Sequence, residues 1–411
     1  MLCPLRSLRP VCSYLCAMNR NWSIFSLIFL LLIAMAGTVL RAGFAIALPT
    51  QYGHFLHAHS HTAFQGWIYT AMMLLLLHLF LGAEQIRKGR YVWQFRGTVA
   101  AVTAVMITFS LQGYGMYSIV SSTVFQVFNY WFIYRFFRDV RGQVPSVSLC
   151  WVKTGLWLGI LSTLAPFAIG ILSAKGMGGS EAYRAAVYFF LHFQYNGWFQ
   201  FVAPGLFFRW IESENIAFDQ RLARRMYRLF AVAVVPGYTL SLLGMSFHGV
   251  IWVPATLAAL LQVAGLAVAY RMWGAALRAW FWSQNTWLRT FLFVAIFSFF
   301  LKYALQLLSV IPALQEVAFT NRDLIVAYLH LCLLGHFTAF FLAMLLSVGW
   351  LPVNVFTRIG SVLFLTGWVL TEGLLVFRGL GGGPVLLPLL WWSAAMTTGV
   401  LLLILGKIKE K

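Results

Sequence analysis

Four imidazoles fall within eight residues, in the run His54-Phe55-Leu56-His57-Ala58-His59-Ser60-His61, the densest set of metal-binding side chains in the chain. A neutral imidazole offers one lone-pair nitrogen to heme iron or another transition metal, and a hydrogen bond at its other nitrogen fixes the tautomer. At about 100° per residue, His54, His57 and His61 lie on one helix face within an arc of about 60°, and His59 points elsewhere. One face therefore offers two or three imidazoles to a single site; the plainer alternative is an interfacial run bonded to water and lipid headgroups.

Further histidines recur along the chain. His192 stands in Leu191-His192-Phe193-Gln194-Tyr195-Asn196-Gly197-Trp198, where one helical turn places the Tyr195 phenol or the Asn196 amide beside the imidazole. His248 follows Met245-Ser246-Phe247, and His330 and His336 share the run Tyr328 to His336. On an α-helix the last two are about 240° apart, so each is expected to serve a different neighbour rather than one shared metal. Lys302, in Phe299-Phe300-Leu301-Lys302-Tyr303, costs about 3 kcal/mol near a bilayer centre, which points to a proton path, an anion site or snorkelling to the interface. Glu372 suits a proton relay or an interior ion pair, whereas Gln112, Tyr114, Gln194 and Asn196 suit a cavity lining or helix–helix hydrogen bonds. His78, away from the others, reads as structural.

The elements that must hold these groups are helices in a bilayer. With 61% hydrophobic, 17% aromatic and 9% charged residues, the chain cannot surround itself with a charged, watery surface. A spanning helix needs about 20 apolar residues, and that template predicts twelve: 23–47, 55–82, 97–118, 120–137, 152–173, 185–208, 229–247, 250–270, 290–310, 324–348, 360–377 and 385–406. The expected fold is thus an all-α, polytopic, twelve-helix domain over residues 23–408, preceded by a cytoplasmic segment, 1–22.

With the N-terminus inside, 23 Lys and Arg fall on inner segments, and only Arg41, Lys175, Arg184, Arg322 and Arg378 fall outside. This positive-inside bias accounts for the formal net charge of +19 without nucleic acid and places both termini in the cytoplasm, with anionic lipid headgroups as partners. Cys3, Cys12 and Cys16 sit in the N-terminal segment, ahead of Met18, which is an alternative start; no signal peptide is expected. Neither Cys150 nor Cys332 has a partner at metal-ligand spacing, and the lack of a Cys-x-x-Cys-His run excludes the usual covalent c-type heme. No internal sequence repeat is evident.

Histidines on the outer halves of the second, sixth, seventh and tenth of twelve helices form a pattern that resembles the catalytic subunit of the heme-copper oxidase superfamily, which includes cytochrome oxidases and nitric oxide reductases. The resemblance implies a subunit I-like bundle with low-spin heme between helices two and ten. It also implies a high-spin heme on helix ten, facing copper or non-heme iron on helices six and seven.

Carried over by position, the helix-two heme ligand is His57, with His59 and His61 as alternative registers. The helix-six metal ligand is His192, and Asn196 stands where the reductase pattern has glutamate. Helix seven supplies only His248. On helix ten His330 takes the low-spin position and Tyr328 the high-spin one.

The resemblance thus implies either a single b-type heme on His57 and His330, or a reorganised site that draws on His54, His59, His61 and His336. The activity it implies is oxygen or nitric oxide chemistry, or electron transfer, in a bacterial inner membrane, with a donor subunit or cytochrome as electron source. Tyr195, Asn196 and Lys302 are the residues expected to act on substrate or protons. A second reading is a cofactor-free transporter with a polar cavity around Lys302. Two half-helices interrupted near the midplane would favour it, and the sequence shows no clear Gly/Pro-interrupted pair.

Overall fold

The computed structural model describes residues 9–44, 46, 51–246 and 248–409, with side chains described from residue 20 onward except that of His248. Among these residues the regular structure is entirely helical. Cys3 lies outside the described residues, as do the side chains of Cys12, Cys16 and His248. Twelve longer helices carry the chain and are numbered here in order; short helices at 83–88, 275–283 and 312–320 connect some of them.

The contacts group the chain into two compact units, Met1–Gln143 with Phe341–Lys411, and Val144–Phe340. The first contains α1 (Arg9–Ala42), α2 (Tyr52–Phe80), α3 (Tyr91–Gln112), α4 (Met116–Asp139), α11 (Val355–Gly379) and α12 (Leu386–Ile408). The second contains α5 (Val147–Ala174), α6 (residues 181–213), α7 (Gln220–Val234, continued by a 3₁₀ turn Pro236–Leu242), α8 (His248–Met272) and α9 (Thr286–Leu308). Helix α10 (Arg322–Ser347) runs from the second unit into the first.

Nine helices among the described residues are long and apolar enough to cross a membrane: Arg20–Ala42, α2, α3, α5, Gly249–Met272, α9, α10, α11 and α12. The remaining three expected spans, 120–137, 185–208 and 229–247, are helical in α4, α6 and α7 but fall outside that set. Helices α4 and α6 carry polar groups along their length, Ser121, Gln126 and Asn129 in the first and His192, Asn196 and Gln200 in the second, and α7 is an α-helix of only 15 residues with four arginines ahead of residue 229. The structure therefore makes the chain a polytopic helical membrane protein, with nine of the twelve expected spans meeting the length and apolarity of a crossing helix.

Prolines and glycines set the local shape. Pro166 cannot donate to the Ser162 carbonyl, so α5 is offset at Thr163, whose hydroxyl donates to Ile160 O at 2.6 Å. In unit one, Gly360 of α11 and Gly399 of α12 face each other so closely that a Cβ on either would come within 2.7 Å of the partner's carbonyl oxygen. In unit two, Gly155 and Gly159 of α5 admit Trp198 of α6, where a Cβ at Gly159 would stand 2.7 Å from the indole. Small residues bring the helix backbones together, as is general for membrane bundles.

Three helices contain one widened, π-type stretch each: Ala63–Ile68 in α2, His192–Trp198 in α6 and Leu331–Thr338 in α10. A π turn bonds i to i+5 and frees carbonyls that an α-helix would satisfy. Threonine hydroxyls bond to carbonyls within two of these stretches, with Thr70 donating to Gly66 O and Thr338 donating to Leu333 O at 2.8 Å. These are the three helices that carry the histidine runs.

Candidate functional site

In unit one, the N-terminal half of α2 is regular helix from Tyr52 to Thr62, so the α-helical wheel applies there. The face bearing His54, His57 and His61 meets the end of α3. His61 stacks on Phe109 at 4.3 Å, and its Nε2 lies 2.9 Å from the Tyr114 hydroxyl. The His57 ring stands edge-on to Tyr114 at 4.5 Å. His54 lies over Gly113, whose φ of +60° and lack of Cβ both suit the position: a Cβ there would fall 2.5 Å from the imidazole. His59 turns away to α1, with Nδ1 donating to Ile33 O at 2.9 Å and the ring against Gly37.

The four imidazoles are all half-buried, but their bonding differs. His59 and His61 each have a nitrogen engaged. Neither ring nitrogen of His57 makes a hydrogen bond among the described residues, nor does either of His54. An imidazole with a free nitrogen beside an aromatic wall fits an axial ligand to heme iron. Tyr114, expected only as a cavity or packing residue, is the group that orders two of these rings. Gln112, with its amide oxygen facing the Tyr117 N–H at 2.8 Å and the Ser118 N–H at 3.0 Å, caps the start of α4.

In unit two the polar groups are buried and closely bonded. His192, Asn196 and Gln200 form a stripe along α6, each 5% exposed or less. His192 Nε2 donates to Val234 O at 2.7 Å, and Asn196 Nδ2 donates to His192 Nδ1 at 3.3 Å. Val234 O is available because the chain beyond it tightens at Pro236, so that the Tyr238 N–H goes to Val235 O instead. The imidazole thus satisfies a carbonyl orphaned by proline, and neither nitrogen is left for a metal. Gln194 lies off the stripe, donating to Ser162 Oγ at 2.9 Å.

Lys302, with no exposed surface, donates to Gln200 Oε1 at 2.9 Å, and Gln200 Nε2 donates to His336 Nε2 at 3.2 Å. His336 Nδ1 in turn donates to Ala295 O at 2.9 Å. Every donor in this chain points the same way, because an ammonium can only donate and His336 has one N–H to give. Tyr303 and Tyr195 place their rings 4.4 Å and 5.9 Å from Nζ, and no carboxylate pairs with Lys302 among the described residues. The buried acceptor oxygens of Asn196 and Gln306 have no partner, and neither does the Tyr328 hydroxyl.

The remaining expected residues fall as follows. His336 lies inside the π stretch of α10, so the wheel that separated it from His330 by 240° does not apply; both its nitrogens are bonded, and as a heme ligand it would have to give one up. His330 is half-buried, just before that stretch. Glu372, half-buried in α11, feels the positive field of Arg41, whose guanidinium donates to Leu389 O at 3.3 Å and to Ser393 Oγ. His78 packs edge-on to Trp350 at 5.1 Å.

Of the expected metal ligands, His192 has both ring nitrogens bonded and His59 has Nδ1 bonded to Ile33 O. Among the described residues no three His, Cys, Asp or Glu side chains stand close enough to hold a metal ion, and the His248 side chain lies outside them.

One signal in the sequence went unused. Phe64-Gln65-Gly66-Trp67 in α2 and Phe193-Gln194-Tyr195-Asn196-Gly197-Trp198 in α6 share Phe-Gln and Gly-Trp, and both coincide with π stretches. No protein-family model and no curated protein matches the chain.

Proposed function

We propose that the chain is a heme-binding redox protein of a bacterial inner membrane, a divergent relative of heme-copper oxidase subunit I with twelve spans and both termini cytoplasmic. The observation that carries this reading is His57, a half-buried imidazole with both nitrogens unbonded on a face walled by Phe109 and Tyr114. Heme held there would supply reversible one-electron transfer and an iron able to meet oxygen or nitric oxide. The chain's own part is to present the His57 nitrogen, hold its neighbour His61 against the Tyr114 hydroxyl, and wall one side of the imidazoles with the Phe109 and Tyr114 rings. Electrons would come from a donor subunit or cytochrome.

The test is a reduced-minus-oxidised optical spectrum of the purified protein with iron analysis. Sharp heme bands with stoichiometric iron that vanish in His57→Ala support the reading, as would the same loss in His330→Ala. A protein purified without heme, or a spectrum unchanged in both variants, defeats it.

The buried amine of Lys302 favours a second reading, in which unit two moves a proton or small anion. A cation without a carboxylate inside a membrane bundle is costly enough to mark a functional group. Gln200 separates Lys302 from His336, and an amide does not relay protons readily, so transfer would run by way of Asn196 and Gln306, whose buried oxygens have no hydrogen-bond partner. In proteoliposomes free of heme, Lys302→Met is expected to abolish any pH-gradient-driven flux; flux equal to that of the unaltered chain would remove this reading.

A further inference from the structure

We propose that the exposed arginine face of α7 is a binding site for an acidic phospholipid, with the phosphate on the arginines and the acyl chains along the same helix. The sequence of this helix is Gln-Arg-Leu-Ala-Arg-Arg-Met-Tyr-Arg-Leu-Phe-Ala-Val-Ala-Val over Gln220–Val234. Ala223, Met226, Phe230, Ala233 and Val234 are buried and fix its inner face. Arg221, Arg224, Arg225 and Arg228 are all exposed, and at about 100° per residue they occupy the opposite face within an arc of about 100°.

That face does not end with the arginines. Val232 is 63% exposed and Val235 59%, and both continue the line of Arg225 and Arg228 one and two turns further on. An outward stripe that changes from guanidinium to valine within one turn, about 6 Å of rise, has the profile of a helix passing from headgroup to hydrocarbon. The charges sit where phosphates sit, and the valines where acyl chains begin.

The arginines are also uncommitted. None forms an ion pair among the described residues. Asp219, the nearest carboxylate in sequence, is occupied as the helix cap, accepting from the Arg221 N–H at 2.7 Å and the Leu222 N–H at 3.0 Å. The face thus offers several planar, bidentate donors with little internal neutralisation, the chemistry that selects a phosphate monoanion over a zwitterionic headgroup. A single inner-side cation needed only to orient the chain would require neither this clustering nor the apolar continuation.

The experiment uses the full chain in detergent, titrated with dioleoyl phosphatidylglycerol or dioleoyl phosphatidylcholine, with bound lipid read by native mass spectrometry and the thermal midpoint followed in parallel. The unaltered protein is expected to retain phosphatidylglycerol and to gain thermal stability from it but not from phosphatidylcholine. In R225Q/R228Q the lipid concentration at half-effect should rise at least about tenfold, each basic group near a membrane surface counting roughly fivefold. R225K/R228K, which keeps the charge and the inside bias but loses the planar bidentate donors, should bind more weakly than the unaltered protein and more tightly than R225Q/R228Q; binding equal to that of R225Q/R228Q overturns the proposal.

Equal responses of the unaltered and glutamine proteins, or equal responses to both lipids, overturn the proposal. Millimolar inorganic phosphate that reproduces the stabilisation assigns the face to free phosphate and also overturns it. If the double variant fails to fold, R225Q and R228Q are compared singly by the same readouts. The outcome is independent of whether heme is bound.

Discussion

Unit one and unit two use the same side chain in opposite ways. On α2 of unit one, His54 and His57 are half-buried and keep their ring nitrogens free; in unit two, His192 and His336 are buried and have both nitrogens committed to carbonyls and amides. Buried polar groups must be bonded, and the bonds that secure an imidazole in a core remove its capacity as a ligand. A half-buried imidazole, part of whose surface remains accessible, escapes that requirement. The comparison separates histidines available for chemistry from histidines that hold helices together, a distinction that residue type and spacing do not make.

The comparison breaks most sharply on His57→Ala. It should remove the heme bands entirely while leaving the stability of the heme-free protein within about 0.5 kcal/mol of that of the unaltered heme-free chain, as expected of a half-exposed side chain. A large fall in stability with the spectrum intact would reverse the assignment of roles.

Next in size is Gly159→Leu, which forces a side chain into the Trp198 indole. A loss of about 3 kcal/mol, the upper end of overpacking costs, should appear in thermal or denaturant unfolding, with the heme spectrum of the folded fraction unchanged. His192→Ala and His336→Ala should each cost about 1–3 kcal/mol by orphaning buried partners, again without spectral change. A lost heme band in either variant would merge the two classes of histidine.

The smallest effect concerns Asp219, whose carboxyl is held below the ordinary range by the N–H groups of Leu222 and Arg221. Its folded pKa lies below the unfolded one, so its contribution is present above the unfolded value and is lost as pH falls through the folded value. Hydrogen exchange at the start of α7 should quicken on acidification, and Asp219→Asn should lack that step.

Much of this was legible beforehand. Long apolar runs and the inside excess of Arg and Lys gave an all-helical membrane protein, because the bilayer permits few other solutions. The wheel drawn over 54–61 placed His59 apart from its neighbours, and the structure has it bonded to Ile33 on α1 while the other three meet Phe109, Gly113 and Tyr114. A π stretch interrupts the 3.6-residue period between His330 and His336, so the wheel does not fix the angle between them. The ties of His192 and His336 were not legible either: they depend on a carbonyl freed by Pro236, and on Gln200 and Lys302, which meet across 102 residues of sequence.

The π stretches also alter what a length change does to this protein. An α-helix that has gained one residue relaxes by widening a single turn, and everything beyond the bulge is rotated by about a residue's step relative to what lies before it. The stretch at Ala63–Ile68 therefore acts as a phase shifter between the histidine-bearing N-terminal half of α2 and the apolar C-terminal half that packs as Tyr69–Phe80. Removing one residue there would let the helix rewind without breaking, and one half would turn by about 100° against the other. The histidines would remain in the chain and the helix would remain a helix, but the two halves could not both keep their present neighbours.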